Sequence, residues 1–311
     1  MPTGAPVDGF TLSFDRRGSV GRPPVVLLHG WPGDRTDMAS VAERLGDEFD
    51  VVVPDLRGFG ASDKHLRDPG DYYSLVAQAR SVAGLIEELG LSPVVLGGYD
   101  IGSRVGQQLA KDRPELLSAM VITPPAPGVG SRILSEGPFR EFWYQSFHHL
   151  DLAEKLLDGK PDAVRDYLEY FWTHWSGPDF VVDAARLEHL TAAYGPAGAF
   201  VASIGYYRAA GSVVPRYLDE TVPDEKIMVP TTFLWAEHDP LFLRAWSDRV
   251  GEFFAQVTVQ PVDGVGHFVP VEAPDIFAGA IVRASKEAPD GPVAGAVRDR
   301  EGRQGPKDQE S

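Results

Sequence analysis

Three short segments hold side chains that could act together on an electrophile. The apolar run at residues 94–96 continues through Gly97, Gly98 and Tyr99 into Asp100-Ile101-Gly102-Ser103 and then a helical pattern. Gly98-x-Asp100-x-Gly102 is the pattern of a sharp strand-to-helix turn, where small residues let two backbones approach and leave the central side chain exposed at the sheet edge. Serine is the usual nucleophile in that place. Here the place belongs to Asp100, and no intact Gly-x-Ser-x-Gly occurs in the chain. The start of the following helix favours an anionic side chain and any oxyanion formed beside it. Taken alone, the pattern equally describes a polar turn capping a helix.

Company makes the difference. Asp239 follows the apolar run 231–236, and Gly264-Val265-Gly266-His267 follows the run 257–262. Separately, Asp239 reads as a helix N-cap and His267 as a loop histidine. Together, at three successive strand ends, they stand in the order nucleophile, acid, histidine, in which the acid would orient the imidazole and the imidazole would activate water. Leu28-His29-Gly30-Trp31-Pro32 follows the first buried run, where the backbone N–H of Trp31 could join that of Ile101 as an oxyanion hole.

The elements that must position these groups are legible as alternation. A hairpin strand is expected at residues 10–14, and short Val/Ile/Leu-rich runs at 25–28, 51–53, 94–96 and 119–122 fit strands buried on both faces. Amphipathic stretches at 38–45, 75–89 and 105–111 separate them, which predicts an α/β fold with a mostly parallel, doubly wound sheet. Residues 131–223 lack strand runs and carry aromatics at helical spacing, so they read as a helical insertion between a first core part, 1–130, and a second, 224–285. The stretch 286–311 has no aromatic, Leu or Ile and is expected to be a mobile tail. No internal repeat is visible.

Composition narrows the function. The 311 residues include 45 acidic and 29 basic side chains, a formal net charge of −16, which argues against a nucleic-acid partner because phosphate binding needs clustered cations. There is no cysteine, so thiolate chemistry and disulfides are excluded. No apolar run approaches the ~18 residues of a membrane span, and no leader pattern opens the chain, so a cytoplasmic protein with no membrane partner is expected. His148, His149, His174, His189 and His238 fall in no ligand spacing. No metal or organic cofactor is expected.

Over residues 8–285 the chain resembles the α/β-hydrolase superfamily, and within it the epoxide hydrolases. Besides the three segments, the resemblance rests on Pro54-Asp55-Leu56-Arg57-Gly58-Phe59-Gly60, on Trp143-Tyr144-Gln145 with the following Leu-Ala-Glu-Lys-Leu-Leu, and on Tyr206-Tyr207-Arg208. It implies an α/β-hydrolase fold whose insertion is a cap, and Tyr144 and Tyr207 pointing from that cap at the epoxide oxygen. An aspartate nucleophile suits the substrate: attack by serine on an sp³ epoxide carbon would leave an inert ether, whereas a carboxylate leaves an ester that water can cleave. The expected partner is a small epoxide, apolar or aromatic, with a homodimer as one assembly open to the chain. Trp143, Phe147, Trp172 and Trp175, with Phe171, read as cap core or as a substrate wall.

The match departs at Ile101, where many relatives carry an aromatic, and at Tyr99, where many carry His. Ile101 bears on the rival reading. Haloalkane dehalogenases hold halide with a Trp after the aspartate, and fluoroacetate dehalogenases have two arginines there and a His-Trp pair in the cap. Here Ile101, Arg104 and Tyr144-Gln145 stand instead, and Arg104 reads as a structural ion pair. A ligand-binding protein without turnover is the third reading, though such a chain would usually have lost a triad member.

Overall fold

Gly97 and Gly98 show how the layers are arranged. A Cβ on Gly97 would meet Phe277 and Ile281, whereas one on Gly98 would meet the backbone at Gly102, so helices Pro274–Glu287 and Ile101–Asp112 cover opposite faces of one strand. The computed structural model describes residues 2–211 and 213–288. Among them the strands are β1 (Phe14–Gly18), β2 (Pro24–Leu28), β3 (Asp50–Pro54), β4 (Val94–Gly98), β5 (Leu117–Ile122), β6 (Thr231–Ala236) and β7 (Val257–Val262), in the spatial order β1-β3-β2-β4-β5-β6-β7. β1 pairs antiparallel with β3; the other neighbours are parallel. Every residue of β3, β4 and β5 is buried, as a sheet covered on both faces requires.

One strand differs from expectation. The first is Phe14–Gly18 rather than residues 10–14, because its edge position tolerates Asp-Arg-Arg, and Arg16 pairs with Asp50 of β3 at 2.6 Å. Phe10 instead packs with Tyr73 and Ala202 beside the sheet. The final helix runs through Glu287, past the expected start of the tail; residues 289–311 of that tail lie outside the described residues.

Between β5 and β6 the described chain forms no strand. Its helices include Trp143–His148, Pro161–His174, Ala184–Tyr194, Gly205–Ala210 and Val213–Leu218. They are tied to the loop after β2 by polar contacts: Trp172 Nε1 donates to Pro32 O at 2.9 Å, Tyr194 Oη donates to Gly33 O at 2.6 Å, and His189 Nε2 lies 2.7 Å from Asp34. Arg186 pairs with Asp37 in the same set. The insertion is thereby fixed over the loop that carries Trp31.

Candidate active site

Asp100 is the N-cap of helix Ile101–Asp112 and takes φ 49°, ψ −118°, a conformation that costs a non-glycine residue on the order of 1–3 kcal/mol. The turn fits because Gly102 passes so close to β2 that a Cβ would lie 2.3 Å from Leu28 O. The result is a carboxylate at the strand end, 5% exposed, whose Oδ1 accepts a hydrogen bond from the Trp31 backbone N–H at 2.9 Å.

The loops after β6 and β7 bring the other two groups to it. His267 Nδ1 lies 3.0 Å from Asp239 Oδ2, and its Nε2 lies 3.6 Å from Asp100 Oδ2. Asp239 Oδ1 accepts the Leu241 N–H at 2.8 Å, which fixes the acid's rotation. All three side chains are buried. Burial alone would lower the basicity of His267, but the charges of Asp239 and Asp100 outweigh it and push its pKa up to about 10, so the resting imidazole is cationic.

Tyr144 and Tyr207 stand edge to face, ring centroids 5.5 Å apart, and border the same cavity as Asp100. Gln145 Nε2 donates to Tyr144 Oη at 3.1 Å, which leaves the phenol's own proton available. Tyr207 Oη is buried without an aligned hydrogen bond among the described residues. Burial first, and the nearby Asp100 charge as well, push both phenols far above their usual range, so both keep their protons. The cavity lies between the insertion and the loops after β4, β5 and β6, and its free volume is about 20 Å³, room for one water.

The four aromatic residues offered as a substrate wall stand elsewhere. The cavity is walled by Ile101, Phe142, Leu241 and Phe242 instead. Trp172 stacks on Phe268 at 3.9 Å, and Trp175 lies behind the tyrosine, 5.1 Å from Tyr144 and 5.3 Å from His267. Trp143 is 42% exposed and packs beside Phe147. Trp172 and Trp175 pack at the seam between the insertion and the loop of His267, whereas Trp143 with Phe147 lies toward the insertion's surface.

Two acidic residues at the site carry no sequence signal. Glu272 accepts backbone N–H groups from Gly177, Gly266 and Phe268 at 2.7, 2.9 and 3.0 Å, so it pins the loop of His267 to the insertion. Asp37 accepts the Tyr99 hydroxyl at 2.6 Å, and burial raises its pKa to about 6 despite Arg186. No group of metal-ligating side chains occurs among the described residues, and none of their helices is long and apolar enough to cross a membrane.

The family model for the alpha/beta hydrolase fold matches residues 23–274, which span strands β2 to β7 and all three strand-end loops. The chain belongs to the α/β-hydrolase fold family. Within that family it is 25% identical to Epoxide hydrolase 4 of Mus musculus over 293 residues, 90% of this chain and 77% of that protein. It is 29% identical to a fluoroacetate dehalogenase of Burkholderia sp. over 195 residues, covering 61% of this chain and 64% of the dehalogenase. Among solved structures, an epoxide hydrolase from Bacillus megaterium superimposes with a TM-score of 0.77 at 18% identity, over 91% of this chain and 99% of that one. An epoxide hydrolase from hot-environment metagenomes superimposes with a TM-score of 0.79 at 20% identity, over 91% and 97%. The structural likeness extends through the helical insertion; at these identities it speaks for the fold.

Proposed function

We propose that this α/β-hydrolase opens epoxides to vicinal diols through an ester on Asp100. The observation that carries the reading is the two-sided hold on one carboxylate, Trp31 N–H on Oδ1 and His267 beside Oδ2, facing two protonated phenols across the cavity. Oδ1 is engaged, so Oδ2 attacks the ring carbon as the C–O bond breaks. Tyr144 and Tyr207, carried by the insertion acting as a cap, donate hydrogen bonds to the departing oxygen, and one of them gives it a proton.

The ester is then cleaved at the aspartate's own carbonyl. Esterification removes the charge of Asp100, one of the two carboxylates that hold His267 protonated. The imidazole loses its proton to the tyrosinate left by the first step, directly or through water, and becomes a base. It takes a proton from water as the oxygen attacks Cγ, and the oxyanion on Oδ1 is held by the N–H of Trp31 and of Ile101. Collapse expels the diol oxygen, which recovers that proton from His267, and Asp100, left as the acid with the water's second proton, passes that proton to His267 and restores the ion pair. The sum is epoxide plus water to diol. A single turnover in ¹⁸O-water tests the step: the label should enter Asp100 and be absent from the first diol, and label in that diol would mean direct attack by water.

A dehalogenase reading has two observations of its own. Arg104 borders the cavity, and the indole N–H groups of Trp31 and Trp175 are buried without acceptors among the described residues. The Asp100 ester would form there too, with halide leaving in place of alkoxide. The paired, protonated tyrosines favour an oxygen leaving group that needs a proton, which halide does not.

A further inference from the structure

Two arginines in the catalytic cavity have no part in ring opening. Arg104 lies one turn beyond Asp100 on the same helix, and Arg216 belongs to helix Val213–Leu218; both border the cavity with Asp100 and the two tyrosines. The structural ion pair expected for Arg104 is not formed: among the described residues no carboxylate stands within ion-pair distance of either guanidinium. Arg104 lies beside Tyr206 and Tyr217, with Glu220 farther off. Arg216 stands over the Tyr217 ring at 5.9 Å, and its Nε is buried without a partner.

Glu220 does not balance this charge. Its carboxylate accepts the Gly128 N–H at 2.6 Å and faces three cations, Arg104, Lys111 and Arg216. In the cavity the His267–Asp239 pair is neutral overall, so Asp100 is outweighed by two guanidinium groups. A positive pocket in a chain of net charge −16 has a chemical meaning. Both arginines are half-buried, Arg104 hydrogen-bonded to Tyr206 and neither with a carboxylate among the described residues, and their forked donors match the two oxygens of a carboxylate.

We propose that the cavity selects epoxides that carry a carboxylate on or next to the ring, bound by Arg104 and Arg216 while Asp100 attacks. This rests on the ring-opening reading above. Four residues of helix separate Asp100 from Arg104, about 6 Å of rise, which calls for a short spacing between reacting carbon and anion.

The test compares 3-phenylglycidate with its carboxamide, the same ring and substituent without the charge. The wild-type enzyme should show kcat/KM for the acid at least about tenfold above that for the amide, the worth of one charge-assisted contact. Arg216→Met and Arg104→Met should each shrink that ratio, mostly through KM for the acid, while Arg216→Lys should keep part of it. The wild-type comparison needs no variant to fold. Equal handling of the two compounds, or a ratio unchanged in both Met variants, overturns the proposal while ring opening stands. If neither compound esterifies Asp100 in His267→Gln, the ring-opening reading itself fails and this one with it.

Discussion

His267 Nε2 stands 3.6 Å from Asp100 Oδ2, too far for a good hydrogen bond and close enough for a strong ion pair. The distance matters because it couples the charge of Asp100 to the proton on His267, which in the proposed reaction are nucleophile and base. While Asp100 is ionised the imidazole stays charged; once Asp100 is an ester, the imidazole can accept a proton.

That coupling predicts the effect of Asp100→Asn, which neutralises the side chain as esterification does. The His267 pKa, pushed up to about 10 in the wild type, should fall toward neutrality, as read by NMR titration of the imidazole. An unchanged value would remove the coupling. The same shift has a sign for stability: a histidine whose folded pKa exceeds its usual 6.5 stabilises the fold fully below 6.5, and that contribution is lost as pH rises toward 10. The denaturant midpoint should therefore decline between these limits more steeply in the wild type than in Asp100→Asn.

Tyr144→Phe/Tyr207→Phe should slow ester formation by about 10²-fold or more, the usual worth of a positioned acid. Melting temperature should change little, because the Tyr207 hydroxyl has no aligned partner to lose and Tyr144 gives up one bond from Gln145. Stopped-flow single turnovers and a thermal melt read the two effects separately. Near-normal ester formation would exclude the tyrosines as the proton source.

Glu272→Ala should act on both stability and rate. Three backbone N–H groups from two distant loops would lose their acceptor, at about 1–3 kcal/mol for each one left buried and unpaired. Calorimetry should show a loss of several kcal/mol in total. In the variant that remains folded, kcat should fall because the His267 loop is no longer pinned to the insertion. A stable variant with wild-type kcat would show that the loop holds itself.

What could be seen beforehand follows from which signals are local. The Asp100 turn is legible because its close approaches demand glycine at fixed offsets, and Asp239 and His267 because each follows a short apolar run. The tyrosines were found through resemblance to a family motif, since an aromatic-rich helix by itself does not reveal which ring faces the cavity. Trp143 and Trp175 illustrate that limit, one turned to the surface and the other packed against His267. β1 escaped because an edge strand of Asp and Arg has no apolar alternation. Glu272 escaped because its partner Gly177 is 95 residues away. Arg104 reads as a structural ion pair in the sequence, and the fold sets it in the cavity without a carboxylate.

The covalent intermediate is the centre of the account, and His267→Gln is the way to hold it. Lacking the base, this variant should form the Asp100 ester and fail to hydrolyse it. Incubated separately with an aryl epoxide, with 3-phenylglycidate and with fluoroacetate, it is read by intact mass and peptide mapping. A gain equal to the whole epoxide, mapped to Asp100, is the predicted result. A gain from fluoroacetate alone, equal to the acid less fluorine and one proton, would contradict it and make the protein a dehalogenase.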